Sequence, residues 1–138
     1  MRLLLIFLLF IFCGQPSSEN YLGRWKLLGG SVVEIYKNNG IYEGKIIKRS
    51  NFPIYNRNGL DNKNPNKDLR NQPIVGLVIL KNMCYKDGVL SGGTLYNSDK
   101  GETYQVKLEI YQDNINECWV EVFDKEKNKK FKIHRLVN

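Results

Sequence analysis

The sequence predicts an all-β domain: a single antiparallel up-and-down β-barrel of about eight strands, with one long irregular loop that has room for a short helix. Three observations predict it. After residue 20, apolar residues recur with the period of two that suits a strand, and almost nowhere with the longer period of a helix. Turn-forming Asn, Asp and Gly separate these runs, mostly closely enough to join neighbours as hairpins. A chain of 138 residues suits one domain and is short for two. Sequential hairpins close simply into a barrel, which leaves no exposed edge. A two-sheet sandwich is the competing arrangement.

Residues 21–28 open the set of strands. Residues 31–37 and 41–49 flank Asn38-Asn39-Gly40, a hairpin signal because Asn and Gly tolerate positive φ. Residues 74–80 are continuously apolar and are expected to be buried more completely than the rest. Residues 89–97 and 103–112 flank Ser98-Asp99-Lys100-Gly101, a second hairpin. The clearest strand is 103–112: Tyr104, Val106, Leu108 and Ile110 share a dry face, while Gln105, Lys107 and Glu109 share a wet one. Residues 117–123 and 130–137 pair around a tip carrying Lys125, Lys127, Lys129 and Lys130.

Residues 50–73 break the pattern, being long, polar and irregular. Pro65 suits the first turn of a short helix, with Asn64 as its cap and an end near Asn71. Long loops are often functional. Asp61, Asn64, Pro65 and Arg70 are therefore candidate contacts for a partner.

At the N-terminus, Arg2 precedes an uncharged apolar run over residues 3–12. That is about half the roughly 20 residues a bilayer-spanning helix needs, and it is the layout of a secretory signal. The chain divides into a signal segment at 1–12, a polar tether at 13–20 and the barrel at 21–138. Cys13-Gly14 directly after the apolar run resembles the cleavage point of a bacterial lipoprotein, although Phe12 stands where lipoproteins carry a small residue. The resemblance implies a lipid on Cys13. The alternative is a secreted form cut a few residues later. Either way the expected location is outside the cytoplasm, in the periplasm or anchored in the cell envelope.

With Cys13 lipidated, Cys84 and Cys118 remain as an even pair in an oxidising compartment, a candidate disulfide. Two separate thiols are the other reading. No CxxC and a single His, His134, argue against a metal site. The formal charge of +7 is scattered, and the lysine cluster reads first as a solvated hairpin tip. Such a surface favours anionic partners such as lipid headgroups or acidic glycans; no motif for nucleic acid is present.

Nor does the chain look like an enzyme or carry a cofactor motif. It has no Gly-x-Ser-x-Gly elbow and no phosphate-cradling glycine loop. By strand parity His134 faces away from the inward set. Asp61, Asp68, Asp87 and Glu34 have no spacing that implies an acid–base pair, and residues 61–68 lack the glycine and terminal acid of a calcium loop. Tyr36, Tyr42, Tyr85, Tyr96, Tyr104 and Tyr111 lie on or near strands, where tyrosine packs well and also can line a cavity.

Gly23-Arg24-Trp25 on the first strand and Arg135 on the last resemble the lipocalin and wider calycin arrangement. There an indole covers the barrel floor and a guanidinium stacks on its face. The role this implies for Gly23, Trp25 and Arg135 is structural closure. A longer ordered set resembles domain-of-unknown-function family 2147, a family of exported bacterial proteins. It comprises Gly23-x-Trp25, Val33-Glu34-Ile35-Tyr36, Tyr42-x-Gly44-Lys45-Ile46, Asp61-x-x-Asn64-Pro65, Leu69-Arg70, Pro73, Gly76-Leu77, Gly92-Gly93, Leu95-Tyr96-Asn97 and Gly101-x-x-Tyr104. The set covers residues 21–137 and implies a calycin-like barrel with no catalytic residues to carry over. Two positions depart: Glu43 stands where many members have Cys, and Ile133-His134-Arg135 replaces a Trp-x-Arg ending. The family's disulfide pattern therefore does not transfer.

The function these features favour is binding a small, partly apolar molecule inside the barrel. Trp25, Val33, Ile35, Tyr104, Val106, Leu108 and Ile110 are the candidate cavity lining. The alternative is a non-catalytic structural or interaction protein of the envelope. It would have a filled barrel and act through the 50–73 loop and the basic surface.

Overall fold

A computed structural model describes residues 14–50 and 58–137; Cys13 and the expected signal segment lie outside the described residues. Eight antiparallel strands close into a barrel in chain order. They are β1 (Gly23–Lys26), β2 (Val32–Asn38), β3 (Ile41–Lys48), β4 (Val78–Lys86), β5 (Val89–Asn97), β6 (Glu102–Ile110), β7 (Glu117–Phe123) and β8 (Lys129–Arg135). Every consecutive pair is hydrogen-bonded, and β1 meets β8 through Trp25 opposite Arg135 and Lys26 opposite His134. No helix among the described residues is long and apolar enough to cross a membrane.

Alternation carries the fold. In β6, Val106, Leu108 and Ile110 are buried while Gln105 and Glu109 are exposed; in β7, Cys118, Val120 and Val122 turn inward. The expected dry face of residues 103–112 is the inner face of the barrel. Two hairpins turn on a left-handed pair that matches strand twist: Asn39 (φ 50°) with Gly40 (φ 79°), and Asp87 (φ 51°) with Gly88 (φ 84°).

The apolar run 74–80 is not one strand. Ile74 is buried in a turn, where Gly76 N–H donates to the Ile46 carbonyl at 2.6 Å, and β4 starts only at Val78. From the turn Ile74 packs on the core and Leu77 partly so, while Val75 is left exposed, and the strand continues through the more polar residues up to Asp87-Gly88. The short helix also differs from expectation. It is a single 3-10 turn, Lys67–Leu69, capped by Asn66, whose side chain accepts from Asp68 N–H at 3.1 Å. Asn64 does not cap it: its Oδ1 accepts Asn66 N–H at 2.9 Å, ahead of the turn, and its Nδ2 donates to Asp61.

Cys84 and Cys118 are not bridged. Cys84 is exposed on β4 and Cys118 is buried within the barrel on β7, two strands that are not neighbours. The candidate disulfide is therefore corrected to two free thiols. Burial pushes the Cys118 thiol up to about 12.

Candidate functional site

The two ends of the barrel are built differently. At one end the N-terminal segment crosses the opening as a 3-10 helix, Ser18–Tyr21. Tyr21 is fully buried, and its hydroxyl faces the carbonyls of Gly88 at 2.7 Å and Leu108 at 3.2 Å while accepting Ile110 N–H at 3.1 Å. Burial raises the Tyr21 hydroxyl pKa well above its ordinary value. Tyr85 adds a 2.6 Å bond to the Pro16 carbonyl. The plug joins strands β4, β5 and β6 to the start of the chain.

Trp25 and Arg135 complete this floor. The Trp25 indole N–H donates to the Tyr21 carbonyl at 2.9 Å, and the Arg135 guanidinium carbon stands 4.3 Å from the indole ring centre. Arg135 donates from Nη1 to Leu22 O at 2.7 Å and from Nη2 to the carbonyls of Asn20 and Ile115. A planar fork with several donors suits this cluster of carbonyls, which a lysine would not match. Desolvation lowers the Arg135 pKa from its ordinary value. Gly23, at φ +112°, lies directly under the guanidinium: a Cβ there would stand 3.2 Å from Nη1. Gly23, Trp25 and Arg135 thus form one closing cluster.

The opposite end is hollow. A cavity of about 290 Å³ opens there, with Leu27, Ile46, Ile79, Leu95, Val122 and Phe131 on its walls. Polar side chains, among them Ser31, Arg49, Asn97, Asp99, Lys100 and Lys129, stand around it. Below it lies a smaller space of about 60 Å³ that shares Leu27, Ile79, Leu95 and Phe131 and is lined entirely by apolar side chains and the Trp25 indole. The interior therefore grades from polar at the mouth to dry at the floor, the usual pattern of a small-molecule pocket.

The expected lining residues distribute along this gradient. Trp25, Val33, Ile35, Val106 and Leu108 line the inner space, and Tyr104 lines the mouth. Ile110 does neither: it lies at the Tyr21 plug, and is corrected from cavity lining to floor. The Tyr104 hydroxyl bonds to Glu102, which raises its pKa to about 12. Ile46, Ile79, Leu95 and Phe131 were not anticipated, although Ile46 shares strand parity with inward Tyr42 and Gly44.

Residues 58–77 form a strap beside the mouth, and Asp61 is its anchor. Asp61 is fully buried; its Oδ2 accepts from Asn64 at 2.7 Å and Gln72 at 3.0 Å, and its Oδ1 accepts the Tyr96 hydroxyl at 2.7 Å. Burial and that bond raise the Tyr96 pKa. Lys63 Nζ donates to Asp99 O at 2.7 Å, and the Lys63 carbonyl sits so close over Gly101 (φ +68°) that any side chain there would collide with it. Arg70 Nε reaches Asn64 O at 2.8 Å. Asp61 and Asn64 are thus internal fastenings, not partner contacts; of the four expected residues, Pro65 is exposed and Arg70 half-buried.

His134 is on the outer surface, 4.0 Å from Glu117 Oε1. Among the described residues no three His, Cys, Asp or Glu side chains are grouped to hold a metal ion.

Comparison with known proteins agrees with this architecture. A model of the family described as uncharacterized proteins conserved in bacteria, DUF2147, matches residues 23–133. Among solved structures, the chain is similar to protein HP1028 of the human pathogen Helicobacter pylori, described as belonging to the lipocalin family. The two share 26% identity, with 86% of this chain and 84% of that one covered and a TM-score of 0.71. No protein of curated function matches.

Proposed function

The chain belongs to the DUF2147 family of bacterial proteins and folds as a lipocalin-like barrel, and on that premise we propose a non-catalytic binding protein of the cell envelope. It is exported, tethered through a lipid on Cys13, and holds a small, partly apolar molecule in the upper half of its barrel. The observation that carries this reading is the hollow end: about 290 Å³ at the mouth, continuing into a dry inner space. A filled barrel would have left neither. A ligand would place its apolar part against Leu95, Phe131 and Ile79 and keep its polar part among the rim groups. Against a catalytic role stand the outward position of His134 and the full engagement of the Asp61 carboxylate.

Native mass spectrometry of protein purified from its own envelope tests the reading. The expected result is a small molecule that leaves on denaturation and is absent from Leu95→Trp, in which an indole fills the cavity. A bare wild-type protein that also fails to brighten an anilinonaphthalene sulfonate probe would sink ligand binding; a co-purifying protein in its place would favour the interaction role. Replacing Cys13 by Ser should move the protein out of the membrane fraction, and unchanged fractionation would refute the anchor.

A further inference from the structure

The N-terminal segment leaves the barrel at its closed end, and it has almost no slack. Gln15 and Pro16 lie against Gly88 in the β4–β5 turn, with their nearest atoms 3.6–3.7 Å from where a Cβ of that glycine would stand. Tyr85 bonds the Pro16 carbonyl, Ser17 caps the 3-10 helix, and Tyr21 is sealed inside. The only free chain between a lipid on Cys13 and this docked segment is Gly14 and its flanking bonds. Two residue steps reach at most about 7 Å. The mouth stands at the other end of strands as long as nine residues, or roughly 30 Å at the usual rise.

We propose that the closed end is a membrane-facing surface, seated on a lipid bilayer, with the ligand mouth opening away from it. This rests on the lipid anchor proposed above. A second feature fits the same face. Ile115, Leu136 and Val137 are exposed at this end, at 50%, 40% and 74%. On the adjoining wall Tyr111 and Trp119 pack at 5.8 Å, with Lys130 over Trp119 and Lys132 over both rings, Lys132 also standing 3.4 Å from Glu117 Oε2. Aromatic rings beside long basic side chains are what a headgroup layer favours, the rings at the apolar boundary and the ammonium groups among phosphates. Exposed Lys37 and Lys86 share this end with exposed Glu19, Asp87 and Asp113.

The orientation is read by depth quenching on the full-length protein in membranes. In a Cys84→Ser background, exposed Lys86 at the closed end and exposed Lys125 at the mouth are replaced by Cys one at a time and labelled with bimane. Vesicles carry nitroxide-headgroup lipids. Several-fold stronger quenching at position 86 than at 125 is expected. Equal quenching, or stronger quenching at 125, overturns the orientation while the anchor stands. Protein absent from the membrane fraction overturns the anchor and the orientation together.

Discussion

The Tyr96 hydroxyl donates to Oδ1 of Asp61 at 2.7 Å, across 35 residues of chain, and ties the strap over residues 58–77 to the β5 wall of the cavity. Asp61→Ala would leave three donors, on Asn64, Gln72 and Tyr96, without their acceptor. An orphaned buried donor costs about 1–3 kcal/mol. Amide exchange across 58–77 should accelerate far more than in β6 or β7. Uniform acceleration would mean the strap is not a separate unit.

Arg135→Lys should not rescue the closure. It keeps a charge but loses the fork that reaches Leu22, Asn20 and Ile115, along with the flat stack on Trp25. A loss of about 2–4 kcal/mol is expected from charge-assisted bonds and stacking together. Urea unfolding followed by Trp fluorescence checks it.

Two buried tyrosines should respond in opposite ways to loss of the hydroxyl. Tyr21→Phe removes the donor to Gly88 and the acceptor for Ile110 N–H, and should destabilise by about 1–3 kcal/mol. Tyr42 is buried with no hydrogen-bond partner for its hydroxyl. Tyr42→Phe should therefore be neutral or stabilising. Thermal melts of the two variants separate them.

The two thiols should differ in reactivity and pH response. A thiol reagent should modify exposed Cys84 in the native protein and Cys118 only after unfolding. The folded state holds the Cys118 proton up to about 12, whereas an unfolded thiol releases it near 9.0. The unfolded chain therefore ionises first. This contribution is complete below the lower value and is lost as pH rises through the higher one. Tyr21 acts in the same sense at higher pH. Melting temperature should fall with rising alkalinity, and Cys118→Ala should flatten part of that fall.

The strands were legible wherever alternation was clean, as at β6 and β7, because burial on one face writes directly into the residue order. β4 was misplaced because its apolar run belongs half to a turn; Asp87-Gly88 was the available signal for its true end. Trp25 and Arg135 could be paired because Gly23-x-Trp25 and the terminal arginine resemble the calycin arrangement, and the guanidinium does stack on the indole. The role of Asp61 was hidden. A carboxylate in a polar stretch reads as solvated, and its donors lie three, eleven and 35 residues away. Tyr21 was hidden in the same way, since its acceptors are 67 and 87 residues along the chain.

The seam between β1 and β8 pairs Trp25 with Arg135, 110 residues along the chain, whereas the other pairings join strands that follow one another directly. Local pairings form early and distant ones late. A chain emerging from its N-terminus therefore carries Trp25 uncovered until the last few residues arrive. The barrel cannot seal until β8 has been made, so the order of the strands itself separates synthesis of the chain from its final closure.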